Sequence, residues 1–133
     1  MLINHYLKEV FDMLFIFLNI WIFIALPLLM SLVCISMDSS ISDNRNKSAG
    51  YRTKISMKSQ NNWNVANRTF GYCSLVIAFL NVVAVILTYK VLIPNKLIDN
   101  GVQSLYINIP VFVLGFAGSI IYTELKLKNK KNL

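Results

Sequence analysis

Arginine and asparagine side chains are the best-equipped groups for chemistry in this sequence. Arg52 and Arg68 carry planar guanidinium forks, which match a carboxylate or a phosphate in a way lysine cannot. Asn19, Asn81 and Asn108 each place an amide inside a long apolar run, where a group that both donates and accepts must find partners. Catalysis by proton transfer or nucleophilic attack has little to draw on. His5 is the single histidine, Cys34 and Cys73 are the two cysteines, and the sequence holds no HExxH, no Ser/His/Asp set and no glycine-rich phosphate loop. The carboxylates are Glu9, Asp12, Asp38, Asp43, Asp99 and Glu124. None falls deep in an apolar run, where a proton pump or an intramembrane protease keeps an ionisable group. The thiols have no CxxC or Cys/His company, and Val33 before Cys34 does not fit a lipoprotein box, so both read as free. No metal, no cofactor and no enzymatic activity is expected.

Burying an amide in hydrocarbon without a partner costs on the order of 4–8 kcal/mol. Asn19, Asn81 and Asn108 must therefore face another helix or a wet crevice. Ser74, Ala78, Asn81, Val85 and Thr88 fall on one helical stripe, and Gly115 and Ser119 form a small-xxx-small pair beside Gly118. Both stripes read as faces for close helix packing, with the asparagines as interhelical hydrogen-bonding groups. A polar cleft for a ligand or peptide is the functional alternative.

One stretch stands apart from composition, the segment from Gly50 to Gly71. Gly50 permits a tight or left-handed turn. Asn61 and Asn62 are N-cap candidates for a helix beginning near Trp63. Trp63, Ala66, Asn67 and Phe70 then share one face at i, i+3, i+4 and i+7, which Gly71 and Ser74 continue. Trp63 stands where an interfacial anchor belongs. An ordinary juxtamembrane loop would show the same composition.

The elements that carry these residues follow from the apolar pattern. Of 133 residues 56 % are hydrophobic and only 14 % charged, against about 25 % charged in a soluble domain. The charges gather between three apolar runs that a soluble core could not bury on all sides. The fold class expected is an all-α integral membrane protein in a single membrane domain. Its three transmembrane helices lie at about 12–36, 70–93 and 105–123, with a polar loop of about thirty residues at 38–68 and a basic tail at 124–133. The first run is too long for a signal peptide and ends without a small-x-small site, so it reads as a retained helix. Pro27 should kink that helix or loosen one turn. Pro94 stops the second run, Asp99-Asn100-Gly101 reads as a turn, and Pro110 falls near the first turns of the third. Tyr72 and Tyr122 near one boundary, and Tyr89 and Tyr106 near the other, fit aromatic belts.

Lysine and arginine set the orientation. Arg45, Lys47, Arg52, Lys54, Lys58 and Arg68 in the loop join Lys126, Lys128, Lys130 and Lys131 in the tail, against Lys8, Lys90 and Lys96 on the other side. That bias puts loop and tail in the cytoplasm and the N-terminus outside. It also accounts for the net charge of +7 without direct nucleic-acid binding. The lipid bilayer is the first partner this pattern implies.

The elements Gly50-Tyr51-Arg52-Thr53, Ser56-Met57-Lys58 and Trp63-x-x-Ala66-Asn67-Arg68-x-x-Gly71 resemble the signature of the SdpI family of small bacterial membrane proteins, in its three-helix form. Larger members carry extra helices ahead of that unit. The resemblance implies a cell-membrane, multi-pass protein of the bacteriocin-immunity type. It also implies that Gly50, Arg52, Met57, Lys58, Trp63, Ala66, Asn67, Arg68 and Gly71 form the family motif. The partners it suggests are a secreted antimicrobial peptide, against which the protein protects the cell, or a cytoplasmic transcription regulator that it holds at the membrane. An accessory role in a larger membrane complex, or a homo-oligomer, also fits the sequence.

Overall fold

A computed structural model describes residues 2–37, 43, 45–46, 48–97 and 101–130. The polar exit at 38–42, Asp99 and Asn100 of the expected turn, Lys47, Lys131 and the side chain of His5 lie outside that description. All regular structure among the described residues is helical. The first span consists of helix α1 (Leu2–Asn19), a π-helical segment (Ile20–Ala25) and helix α2 (Leu26–Ser36). Pro27 explains the interruption. Proline has no N–H to give and its ring crowds the preceding turn, and the chain widens into π geometry just before it. The second span is α3 (Gln60–Leu87), closing with a π-helical segment (Thr88–Leu92). The third is α4 (Gly101–Lys130). The stretches Tyr6–Ser36, Gln60–Leu92 and Val102–Asn129 are each long and apolar enough to cross a membrane.

Four sequence expectations need correction. The polar segment 38–68 is not a loop throughout, because α3 begins at Gln60 and Ser56–Lys58 forms a 3-10 turn. The N-cap is Ser59, not Asn61 or Asn62. Ser59 is extended (φ −151°, ψ 156°) and its Oγ accepts from Asn62 N–H at 3.1 Å, a role serine fills as well as asparagine. The expected tail continues α4 to Lys130. It is rich in Leu and Lys, which favour helix, and Leu127 packs into the core at 1 % exposure. Pro110 lies inside α4 rather than in its first turns, because the helix already begins at Gly101. It sits on the exposed side of the helix, so its ring does not enter the bundle.

Helix α3 is the central element, with α2 and α4 packed on it, while α1 meets α4 near the end remote from the loop. Side chains are distributed opposite to a soluble protein. Phe17, Trp21, Leu32, Phe79 and Leu114 are exposed, whereas Asn19, Ser74, Asn81, Thr88, Ser104, Asn108 and Thr123 are fully buried. This fits lipid outside and hydrogen bonds inside. Small residues set the closest approaches. A Cβ on Gly71 would come within 2.8 Å of Ile35 Cγ1 and 3.3 Å of the Ser31 carbonyl, and one on Gly115 within 3.0 Å of Ile77. A Cβ on Gly118 would meet nothing within 4 Å, so Gly115 is the packing member of that pair of glycines.

Candidate functional site

The motif residues assemble where the chain returns from the loop onto the end of the bundle. Gly50 has φ +108°, a conformation that side-chain-bearing residues rarely hold. Its Cα is also pressed against the site, since a Cβ there would stand 2.7 Å from Asn67 Oδ1 and 3.0 Å from the Trp63 ring. The turn delivers the next N–H inward. Tyr51 N–H donates to Asn67 Oδ1 at 2.7 Å, and Asn67 Nδ2 donates to the Trp63 carbonyl at 2.9 Å. Trp63 is fully buried, and its Nε1–H donates to the Met37 carbonyl at 3.1 Å. Carbonyls at a helix end lack intrahelical donors, so the indole caps the end of the first span. The Tyr51 ring lies 4.7 Å from that of Phe70, and its hydroxyl donates to Glu124 Oε1 at 3.1 Å. Burial first, then the charge and hydrogen bond of Glu124, push the Tyr51 phenol well above its ordinary pKa, so it stays a neutral donor. Ser56 completes the turn: its Oγ accepts from Thr53 N–H at 2.8 Å and lies 3.0 Å from the carbonyls of Tyr51 and Thr53. Asn62 Nδ2 donates to the Ile55 carbonyl at 3.1 Å.

The cations of the motif lie outside this buried knot. The Arg52 guanidinium is 5.9 Å from the Trp63 ring centroid, and its Nη1 donates to the Arg45 carbonyl at 3.1 Å. Arg45 pairs with Asp43 at 2.6 Å and donates to the Met57 carbonyl at 3.3 Å. Hydrogen bonds to Asp43 from the Arg45 guanidinium and then from its backbone N–H lower the Asp43 carboxyl to a pKa of about 2. Met57 is half-buried, while Lys58 and Arg68 are exposed. Among the expected residues, then, Gly50, Trp63, Ala66 and Asn67 are brought into one packed knot and Arg52 covers it, while Gly71 packs against Ser31 and Ile35 of α2.

A second polar cluster lies at the opposite end of the bundle. Asn108 Nδ2 donates to Asn19 Oδ1 at 2.6 Å. Asn19 Nδ2 donates to the Phe15 carbonyl at 2.7 Å and reaches Ser104 Oγ at 3.2 Å and Tyr89 Oη at 3.3 Å. All three spans contribute, and both π-helical segments adjoin the cluster, one starting after Asn19 and the other containing Tyr89. Asn81 is not in it: its Nδ2 donates to the Ile77 carbonyl of its own helix at 2.9 Å. Among the described residues, Asn81 Oδ1 and the outer oxygen of this pair, Asn108 Oδ1, are buried without a hydrogen-bond partner. No three of His, Cys, Asp and Glu gather among the described residues where a metal could be held.

A sequence profile of the SdpI/YfhL protein family matches residues 43–123. The chain belongs to this family. Comparison with curated proteins and with solved structures returns no match. The matched part of this SdpI-family chain runs from Asp43 through α3 and most of α4, so it contains the motif residues of the knot, while the acceptors Met37 and Glu124 lie outside it.

Sequence reasoning missed several members of the two clusters. Tyr51 and Ser56 stand inside the motif as quoted, and their backbone and hydroxyl groups, not their side-chain class, give them their roles. Glu124 appeared as a tail carboxylate, and Tyr89 as a belt residue. Ser104 and the Met37 carbonyl carried no sequence signal at all, since a serine near a helix start and a backbone oxygen look alike wherever they fall.

Proposed function

We propose that this SdpI-family membrane protein confers immunity or resistance to a membrane-active peptide toxin, with its loop and C-terminus in the cytoplasm and its N-terminus outside. The observation that carries this reading is the family match over 43–123. The surplus of basic residues in the loop and tail supports the orientation. An apolar groove of about 470 Å³ between the first and second spans, walled by Ile24, Leu28, Leu75 and Phe79 with Ala78 at its side, offers an apolar peptide a place within the bilayer. The knot at the loop end would keep the second span at the angle that forms this groove.

Expression in a toxin-sensitive strain, challenged with the secreted peptides of the parent strain, tests the proposal. Survival should require the protein, and Leu75→Trp, at an exposed position on the groove wall, should abolish protection while membrane abundance stays near the parent's. Equal survival with and without the protein refutes it. Arg52→Lys separates roles within the motif. If a planar fork is needed, lysine loses protection; if charge alone suffices, lysine keeps it.

The folded loop favours a second reading. Residues 50–59 are fastened to the bundle and leave Arg52, Lys54 and Lys58 exposed, a fixed cationic surface suited to holding an acidic face of a soluble regulator. In that case Lys54→Glu with Lys58→Glu would release the regulator into the soluble fraction and leave toxin survival unchanged.

A further inference from the structure

The two outer spans meet at one end of the bundle and part at the other. Asn19 and Asn108 join them, and Phe23 stacks edge-on to Phe112 at 5.5 Å. Toward the loop, α2 and α4 pack on α3 but scarcely on each other. The gap between them is a cleft of about 270 Å³, walled by Met30 and Val33 of α2 and Ile120 of α4, backed by Phe70 and roofed by Gly50–Thr53. Its walls are apolar and its roof is the segment that carries Arg52. The apolar part lies in the last turns of helices long enough to span a bilayer, and the roof lies beside Trp63, a residue type that anchors at the interface.

We infer that this cleft binds an anionic phospholipid of the leaflet at the loop end, with an acyl chain between α2 and α4 and its phosphate at Arg52. An acyl chain is the solvent such a cleft meets in a membrane. A phosphate at the roof would complete the match, because a guanidinium carries five N–H donors in a planar fork suited to phosphate oxygens. The Arg45 carbonyl accepts from one of these donors and the Trp63 ring centroid lies 5.9 Å away, which fixes the exposed Arg52 side chain at the roof of the cleft. Lys54 and Lys58 in the same loop, both exposed, add a positive field that favours anionic over zwitterionic headgroups. The lipid would then join the spans that the protein itself leaves apart, as the Asn19–Asn108 bond does at the other end.

The test uses the full chain purified in detergent, with bound lipid read by native mass spectrometry and thermal unfolding. The probes are phosphatidylglycerol and phosphatidylcholine of matched acyl chains, and glycerol phosphate alone. Phosphatidylglycerol should bind and raise the unfolding temperature, and phosphatidylcholine should do so much less. Arg52→Gln should weaken phosphatidylglycerol about tenfold, the loss expected for one charge-assisted contact. Ile120→Trp, which fills the cleft and leaves every cation in place, should weaken it too. Lys128→Gln, an exposed cation away from the cleft, should not. Equal stabilisation by both lipids overturns the proposal. So does a parent-like preference for phosphatidylglycerol in either cleft variant, or stabilisation by glycerol phosphate equal to that by the lipid. Should Arg52→Gln fail to accumulate, Ile120→Trp decides by the same criteria.

Discussion

Asn67 and Asn81 are the same side chain on the same helix, fourteen residues apart, and both are fully buried. Each donates from Nδ2 to the carbonyl four residues back at 2.9 Å. They differ in what stands across from the amide oxygen. Asn67 Oδ1 accepts the Tyr51 N–H, whereas Asn81 Oδ1 has no partner among the described residues. A returning loop at one end of α3 brings a backbone donor that must be satisfied, and the middle of the bundle brings only side chains. The lesson is that the value of a buried amide in this protein depends on the element opposite it. At the loop end the asparagine closes a chain fold, and in the middle it borrows from its own helix.

The largest effect that could break this contrast belongs to Gly50 and Trp63. Gly50→Ala puts a methyl group against Asn67 Oδ1 at a positive φ, and should cost about 3 kcal/mol in detergent unfolding. Trp63→Ala empties a fully buried site and uncaps Met37, and should cost about 3–5 kcal/mol. Parent-like melting of both variants would mean that the knot does not stabilise the bundle.

The next effect is the direct comparison. Asn67→Leu strands the Tyr51 N–H and should cost about 2 kcal/mol, while Asn81→Leu removes an unpartnered acceptor and should be neutral or stabilising. Equal losses, measured side by side by thermal unfolding, would show that Asn81 Oδ1 is satisfied after all.

Asn19 and Asn108 sharpen the comparison from the other end of the bundle. Their bond joins two spans directly, and a double-mutant cycle with leucine at both positions should return a coupling of about 0.6 kcal/mol. A coupling of zero would make the cluster a set of independent own-helix bonds.

Tyr51→Phe should cost about 1 kcal/mol by removing the Glu124 contact. The raised phenol pKa sets the sign: the folded state favours neutral tyrosine, so the advantage over phenylalanine holds below about pH 10 and shrinks as pH rises beyond it. A difference that instead vanished on acidification would point to the carboxylate partner.

Asp43→Asn is the smallest. A carboxyl lowered to about 2 contributes above its ordinary pKa and loses that contribution only as pH falls toward 2. Its partner Arg45 is close by in sequence and the pair is exposed, so melting at neutral pH should be unchanged.

The sequence by itself determined three helices long and apolar enough to cross a membrane, because runs of apolar residues that long match lipid better than water. It also determined the knot's helical side, since the 3.6-residue period alone puts Trp63, Ala66, Asn67 and Phe70 on one face. Tertiary structure decided the rest. Ser59 displaced Asn61 and Asn62 as the cap because a cap is defined by one extended residue and not by residue type alone. The tail became helix because Leu127 found the core, and Pro110 became an interior residue because α4 already starts at Gly101. Among the three intramembrane asparagines, identical in sequence character, only the packing of the spans gave Asn19 and Asn108 to each other and left Asn81 to its own helix. A hydrogen bond needs a partner within about 3 Å, and which groups come that close across helices is a property of the folded bundle that no local pattern encodes.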